Sequence, residues 1–322
     1  GWPSGIDLAY AFVNYPLDLA AASPATTDFP RFWAADGKGF YSFRNAFDGV
    51  DDIVVQCYAK DGVGAGWNAA EAGGFQIYGL GSTWAEKAMH DRGGDRWAEN
   101  VVQLPGLQHR GSSRCPVLHR RGNSATGSGQ VTVDLTPVYQ LGKPHPKKKK
   151  TIWYDGGITG DRCLAVDYSG AAGVPACITI ADRIRGTDQQ KIWTMHLPEA
   201  VAIELQPERQ RFVLRAGDAS LVGTYAGTDK LQLLPAAGDD GGDGDDQAQN
   251  HKKKKKKKKK KGEQLHAIRI GSTAADYELI VVLTLQRGAA PEVRIDADDG
   301  RIDVGDLHWR LTDERRFERV ED

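Results

Sequence analysis

The chain has 322 residues, 40% of them hydrophobic and 38 of them glycine, which suits a folded, turn-rich protein with a large core and excludes a disordered one. Its longest apolar runs, such as residues 279–285, fall far short of the roughly 20 residues that a membrane helix needs, so no membrane passage is expected. The formal net charge of −1 conceals an imbalance: without the 14 lysines of two homopolymeric runs, 147–150 and 252–261, 28 basic residues face 43 acids, a net charge of −15.

In chain order, Ile6 to Phe12 is compatible with a helix that Asn14-Tyr15-Pro16 breaks. Residues 1–35 are accordingly assigned to a helical lead-in and linker. No initiator methionine precedes Gly1, which is expected to begin a processed or truncated chain. From about residue 36 to 322 the sequence reads as strands. Candidates cover residues 39–45, 52–58, 74–78, 100–104, 130–135, 151–154, 163–168 and 177–184. Others cover 191–196, 201–205, 211–214, 220–225, 264–270, 278–285, 292–295 and 306–311. Frequent Gly, Asp and Pro punctuation between them predicts an all-β protein, a large antiparallel β-sandwich of two or more sheets. Low-complexity insertions interrupt it near 143–150 and 238–262. Adjacent ammonium groups repel one another and form neither core nor strand, so the lysine runs read as solvated loops in preference to a polybasic arm for anionic polymers. The acidic stretch 238–246 lacks the closing Glu spacing of a calcium loop and reads as a solvated loop too.

Four cysteines, Cys57, Cys115, Cys163 and Cys177, lack any CxxC spacing, which excludes a zinc ribbon or a thioredoxin motif. Cys163 and Cys177 fall on neighbouring strand candidates. A disulfide between them and separate buried thiols are equally compatible with the spacing.

The most informative stretch is Gly73-Gly74-Phe75-Gln76-Ile77-Tyr78-Gly79-Leu80-Gly81-Ser82-Thr83-Trp84-Ala85, approached through Ala65 to Ala72. An alternating strand, a glycine turn and a Trp-bearing return make a hairpin. The stretch resembles the central hairpin of the heparinase II/III-like polysaccharide lyases, whose approach reads His-Gly-His-x-Asp-Ala-Gly-Ser-Phe. Here those places hold Trp67, Asn68, Ala69, Ala70, Glu71, Ala72, Gly73, Gly74 and Phe75. Segments 162–167, 192–196, 219–225 and 277–283 extend the likeness in the same order, from about Leu8 to Leu311. The resemblance implies a C-terminal β-sandwich region preceded by an (α/α) toroid, a secreted, periplasmic or extracellular setting, and an acidic polysaccharide as partner.

Eliminative cleavage of a uronate polymer requires neutralising the carboxylate, a base for the adjacent C–H and an acid for the leaving oxygen. The resemblance assigns the Tyr and several partners to the toroid, and the first hairpin His falls at Trp67. The chain alone is therefore expected to be inactive, with cleavage only if an upstream toroid supplies Tyr and His. A non-catalytic glycan-binding or assembly protein is the alternative. Trp67 is a candidate sugar platform or a hydrophobic plug. Asn68 is a candidate for a substrate carboxylate, though Asn beside Gly is first a turn former. His109, Arg110, Arg114, His119, Arg120 and Arg121 concentrate positive charge in an expected loop facing the cleft, suited to carboxylate or sulfate, or to pairing with surplus acids. The family's metal ligands fall at Ala69, Glu71, near Glu86 and at Glu99. Zinc is not expected of such a set; Ca²⁺ fits carboxylates better, and Glu71, Glu86 and Glu99 are weak candidates for it. His196, His266 and His308 sit in strand contexts and read as structural. Nucleic acid is not an expected partner, because aromatic interleaving is absent from the basic segment.

Overall fold

The computed structural model describes residues 29–59, 72–87, 99–105, 114–146, 151–228, 231–234 and 266–320. The helical lead-in, both lysine runs and the acidic stretch at 238–246 lie outside these. β1 (Phe32–Ala35), β2 (Phe40–Arg44), β3 (Val54–Tyr58), β4 (Phe75–Gly79) and β5 (Ser82–Ala85) pair in sequence order as a five-stranded meander. β6 (Val102–Gln103) belongs to a second sheet, and β7 (Val117–Gly122) and β8 (Gly129–Asp134) form a hairpin at the edge of a third. β9 (Leu141–Pro144) and β10 (Thr151–Tyr154) make a two-stranded ribbon.

β11 (Thr159–Asp167) and β12 (Ala176–Arg185) continue the third sheet, and β13 (Lys191–His196) returns to the second. β14 (Ala202–Gln206), β15 (Arg211–Ala216) and β16 (Ala219–Gly227) extend the third sheet at its other end. β17 (Gln232–Leu234) and β18 (Ala267–Ser272) complete the second. β19 (Tyr277–Arg287) inserts at the centre of the third, giving the order β14-β15-β16-β19-β12-β11-β8-β7. A terminal four-stranded meander holds β20 (Val293–Asp296), β21 (Arg301–Val304), β22 (Leu307–Leu311) and β23 (Phe317–Arg319). The pairing is antiparallel throughout, and helix among the described residues is confined to short 3₁₀ turns, so the chain is the expected all-β sandwich. No helix of the described residues is long and apolar enough to cross a membrane.

The long sheet is buried on both faces, and strand alternation sorts its side chains between two cores. Leu164, Val166, Ile178, Ile180, Leu279, Val281 and Leu283 face the first two sheets, where Tyr41, Phe43, Val55, Phe75, Ile77 and Trp193 meet them. Their alternates Cys163, Ala165, Cys177, Ala181, Ile280 and Val282 face the terminal sheet, packing on Ile302, Val304, Trp309 and Phe317. This is why residues 279–285 read as a continuous apolar run rather than an alternating one. Three layers follow from that double burial.

Two expectations change. β1 lies inside the segment assigned to lead-in and linker, because Phe32 and Ala34 pack on the main core and the strand pairs fully with β2. The basic segment expected as a loop is the edge strand β7 from Val117 onward. The cysteine alternatives also resolve: all four are buried thiols outside any disulfide. Cys163 stands opposite Ala181 and Cys177 opposite Asp167, an offset of four residues or about 13 Å along the strand, beyond disulfide reach. Burial pushes the thiols of Cys57, Cys163 and Cys177 up to about 12, which keeps them protonated and unreactive.

Candidate functional site

The hairpin expected around Gly79 is β4–β5. Its two-residue turn, Leu80-Gly81, has positive φ at both positions (52° and 77°), the backbone of a type I′ turn with Leu in a place that favours Asn or Gly. The indole of Trp84 donates to the Gly79 carbonyl at 2.8 Å and locks the return strand against the turn.

Upstream, β3 and β4 close a neck. The Tyr58 amide donates to the Gly74 carbonyl at 3.0 Å, and the Gly73 amide to the Tyr58 carbonyl at 2.6 Å. Residues 60–71 connect the two sides of this neck; Trp67, Asn68 and Glu71 lie among them, outside the described residues. Gly73 is required where it stands: φ is +82°, and a Cβ there would come within 2.9 Å of Leu135.

Beneath the neck lies a fully buried ion pair. Arg162 on β11 holds Asp182 on β12 through two parallel bonds, Nε to Oδ1 at 2.7 Å and Nη2 to Oδ2 at 2.8 Å. Its Nη1 donates to the carbonyls of Gly73 at 2.5 Å and Asn100 at 2.7 Å, and the guanidinium sits 5.4 Å from the Phe75 ring centre. The fork geometry of Arg satisfies four acceptors at once, as a point-charged ammonium would not. Asn100, also buried, is the second hub. Its Nδ2 donates to the carbonyls of Phe75 at 2.7 Å and Glu86 at 3.2 Å, and its Oδ1 accepts the His196 amide at 2.7 Å. These two residues tie β4, β5, β11 and β13 into one seat for the hairpin approach.

The outer face of the first sheet carries the residues able to meet a ligand. Alternation turns Trp33, Phe40, Gln56, Tyr58, Gln76 and Tyr78 outward, opposite the core-facing Tyr41, Phe43, Val55, Cys57, Phe75 and Ile77. Phe40 stands between Trp33 at 5.6 Å and Tyr58 at 5.2 Å, ring centre to ring centre. Trp33 is 50% exposed. Gln56 and Gln76 pair across β3 and β4, accepting hydroxyl bonds from Tyr58 at 3.3 Å and Tyr78 at 2.8 Å. Burial, with Glu86 second, raises the Tyr78 phenol, so it stays protonated and serves as a hydrogen-bond donor. Aromatic faces beside amides make a surface able to stack on sugar rings and bond their hydroxyls.

The basic candidates separate in space. His109 and Arg110 lie outside the described residues, and Arg114 is exposed ahead of β7. Along β7, Arg120 stands opposite core-facing Val131 and reaches Asp36 at 2.6 Å, whereas His119 and Arg121 stand opposite Thr132 and Gln130 on the face toward the terminal sheet. Among the described residues the segment therefore forms no single patch at the hairpin. Partial burial, then the charges of Arg316 and Arg121, lower the His119 imidazole and favour its neutral form.

The donor set does not fit zinc. The resemblance puts the hairpin's two imidazole places at Trp67 and Ala69, and Glu99 is buried with its carboxylate 2.5 Å from the Lys87 ammonium. Glu86 contributes its backbone to this corner, its amide donating to the His196 carbonyl at 3.1 Å. Among the described residues no three His, Cys, Asp or Glu side chains come together as a metal group. His266 Nε2 lies 2.8 Å from the Val201 carbonyl and His308 Nδ1 2.8 Å from Asp303, so both brace the fold.

Asn100, Arg162 and the outward aromatic row are absent from the sequence candidates. One signal was available for the ion pair: Arg162 and Asp182 occupy the core-facing, otherwise apolar faces of adjacent strands, where lone charges are not tolerated.

No protein-family model matches the chain, and no curated protein matches it in sequence. Solved structures do. A mutant of heparan sulfate lyase HepC from Pedobacter heparinus is 12% identical with a TM-score of 0.57, and HepC itself is 12% identical with 0.55. Heparinase III is 9% identical with 0.54. Each match covers 90% of this chain and 42% of the other, so the chain spans about two fifths of their length. The fold is a heparinase-like β-sandwich region.

Proposed function

We propose that the chain is the β-sandwich portion of a polysaccharide lyase-like protein that recognises acidic, uronate-containing glycans outside the cytoplasm. Cleavage by elimination then depends on a helical toroid upstream that supplies Tyr and His. The observation that carries this reading is the outward aromatic and amide row on the first sheet, set beside the neck of the hairpin in a fold shared with heparan sulfate lyases. A chain this acidic outside its lysine runs repels polyanions at long range, so recognition rests on local geometry rather than on net charge.

The alternative is a non-catalytic glycan-binding or assembly protein on the same fold. It is favoured by Trp67 and Ala69 standing where the hairpin histidines would be. Fold likeness does not choose between the two.

Affinity electrophoresis tests the recognition both readings share. The lysine runs at 147–150 and 252–261 would bind any polyanion, so the chain is compared with a variant carrying Gly-Ser in both. Retardation of that variant by heparan sulfate, and not by a neutral glucan, is the expected result. Retardation of the lysine-bearing chain alone would overturn the proposal and leave a polybasic arm in its place.

A further inference from the structure

A second concave site lies across the long sheet from the hairpin seat, where the end of the sheet made by β7, β8 and β11 meets β22 and β23. The cavity there measures about 500 Å³ and includes Arg121, Asn123, Ser128, Asp167, Trp309 and Arg319 in its walls. That volume falls within the range of small-molecule sites.

Its construction is rigid. Gln130 clamps β8 to β23 through both backbone groups of Phe317, accepting its amide at 2.8 Å and donating to its carbonyl at 2.9 Å. The Ser128 hydroxyl accepts the Tyr168 amide at 2.9 Å, and Asn123 Oδ1 accepts the amides of Ala125 and Thr126. Asn123 therefore keeps its amide NH₂, and Ser128 its hydroxyl proton, for another partner. Trp309 stacks on Phe317 at 5.6 Å and 28°, an apolar wall with little exposure.

The cavity gathers two arginines beside one acid, Asp167. Several arginines of this acidic chain hold carboxylates: Arg44 with Asp52, Arg183 with Asp161, Arg287 with Asp51 and Arg315 with Glu278. Arg121 and Arg319 make no side-chain hydrogen bond or ion pair among the described residues, and both border the same cavity. The acid beside them, Asp167, has one oxygen engaged by the amide and hydroxyl of Ser169 at 2.9 and 2.6 Å. Two forked donors without carboxylates call for an anion, and the neutral donors and indole wall call for a polyhydroxylated body attached to it.

We propose that this cavity is a second ligand site, separate from the hairpin, that takes an acidic sugar unit bearing a carboxylate or sulfate. The unit arrives either as a free saccharide or as part of a longer chain. The test uses the indole N–H resonances of the chain with Gly-Ser in place of both lysine runs. A sulfated, uronate-containing disaccharide is titrated in, with inorganic sulfate and the parent polymer in separate arms. The expected result is a saturable shift of the Trp309 signal, assigned by W309F, with affinity reduced at least 10-fold in R121Q/R319Q. Both arginines are exposed and unpaired, so that variant retains the fold.

A disaccharide shift with none from the polymer identifies free saccharides as the source; shifts from both identify chain segments. No Trp309 shift by disaccharide, a shift indifferent to R121Q/R319Q, or an equal shift by sulfate alone at the same concentration would each overturn the proposal. Failure here is distinguishable from failure of the hairpin reading. Retardation by heparan sulfate without a Trp309 shift removes this site only, and a Trp309 shift without retardation removes the hairpin reading only.

Discussion

Replacing Arg162 with Met is expected to cost about 3–5 kcal/mol of stability, the range for breaking a buried ion pair from one side. Asp182, 1% exposed, would be left in a site with no other cation bonded to it among the described residues. The carbonyls of Gly73 and Asn100 would lose their donor in the same step, and an unsatisfied buried acceptor costs about 1–3 kcal/mol. Against a total stability of roughly 5–15 kcal/mol for a domain, a loss of this size lowers the urea midpoint sharply. The double variant R162M/D182L removes both charges and is expected to recover a substantial part of the loss. A loss below about 1 kcal/mol for R162M would mean that the pair is not sealed from water as drawn.

Removing Arg315 should loosen the terminal sheet before anything else. This buried residue reaches from the β22–β23 connection to the long sheet, Nε to Asp161 at 2.6 Å and Nη1 to Glu278 at 2.5 Å. Its carbonyl accepts the Thr132 hydroxyl at 2.6 Å. It also holds φ at +60°, a conformation that costs a non-glycine residue about 1–2 kcal/mol. R315A loses the charge contacts and keeps that strain, for an expected loss of about 2–4 kcal/mol. R315G loses the contacts and sheds the strain, so it is expected to be about 1 kcal/mol more stable than R315A. Amide hydrogen exchange locates the effect: β20 to β23 should lose protection while β11, β12 and β19 keep theirs. Equal loss across all layers, or R315G no better than R315A, would contradict the role given to this residue.

The sequence disclosed strands wherever burial imposed a pattern. The alternation of Phe75 and Ile77 against Gln76 and Tyr78 marked β4, and the apolar run at 279–285 marked β19, though its double burial emerges only from the layers on both sides. Strands missing from the candidates lack such a signal, except β21, where Ile302 and Val304 alternate with Arg301 and Asp303 over only four residues. β17 and β23 have three residues each, β1 and β9 four, and β7 carries His119, Arg120 and Arg121 because an edge strand tolerates and uses charge. Residues that brace the hairpin stay hidden in the sequence, because their role follows from long-range pairing. Arg162 serves Gly73 from 89 positions away, and Asn100 serves His196 from 96. The grouping of Arg121 with Arg319 likewise depends on β22 and β23 folding back over β8 and β11. Adjacency of Arg120 and Arg121 misleads in the opposite sense, since neighbours on a strand face opposite sides.

On the proposed function, the hairpin side of this chain recognises an acidic glycan without holding the acid and base that elimination needs. Losing one proton-transfer group alone forfeits about 10²- to 10⁴-fold in rate, and the resemblance puts Trp67 and Ala69 at both imidazole places of the motif. Ultraviolet absorbance of the unsaturated uronate product tests this most directly, with residues 1–322 and heparan sulfate at a concentration where electrophoresis shows the glycan bound. Bound glycan with absorbance no faster than the protein-free control is the expected result. Steady product formation by this chain alone would contradict it and place the base outside the hairpin, with His109 and His119 the first residues to replace.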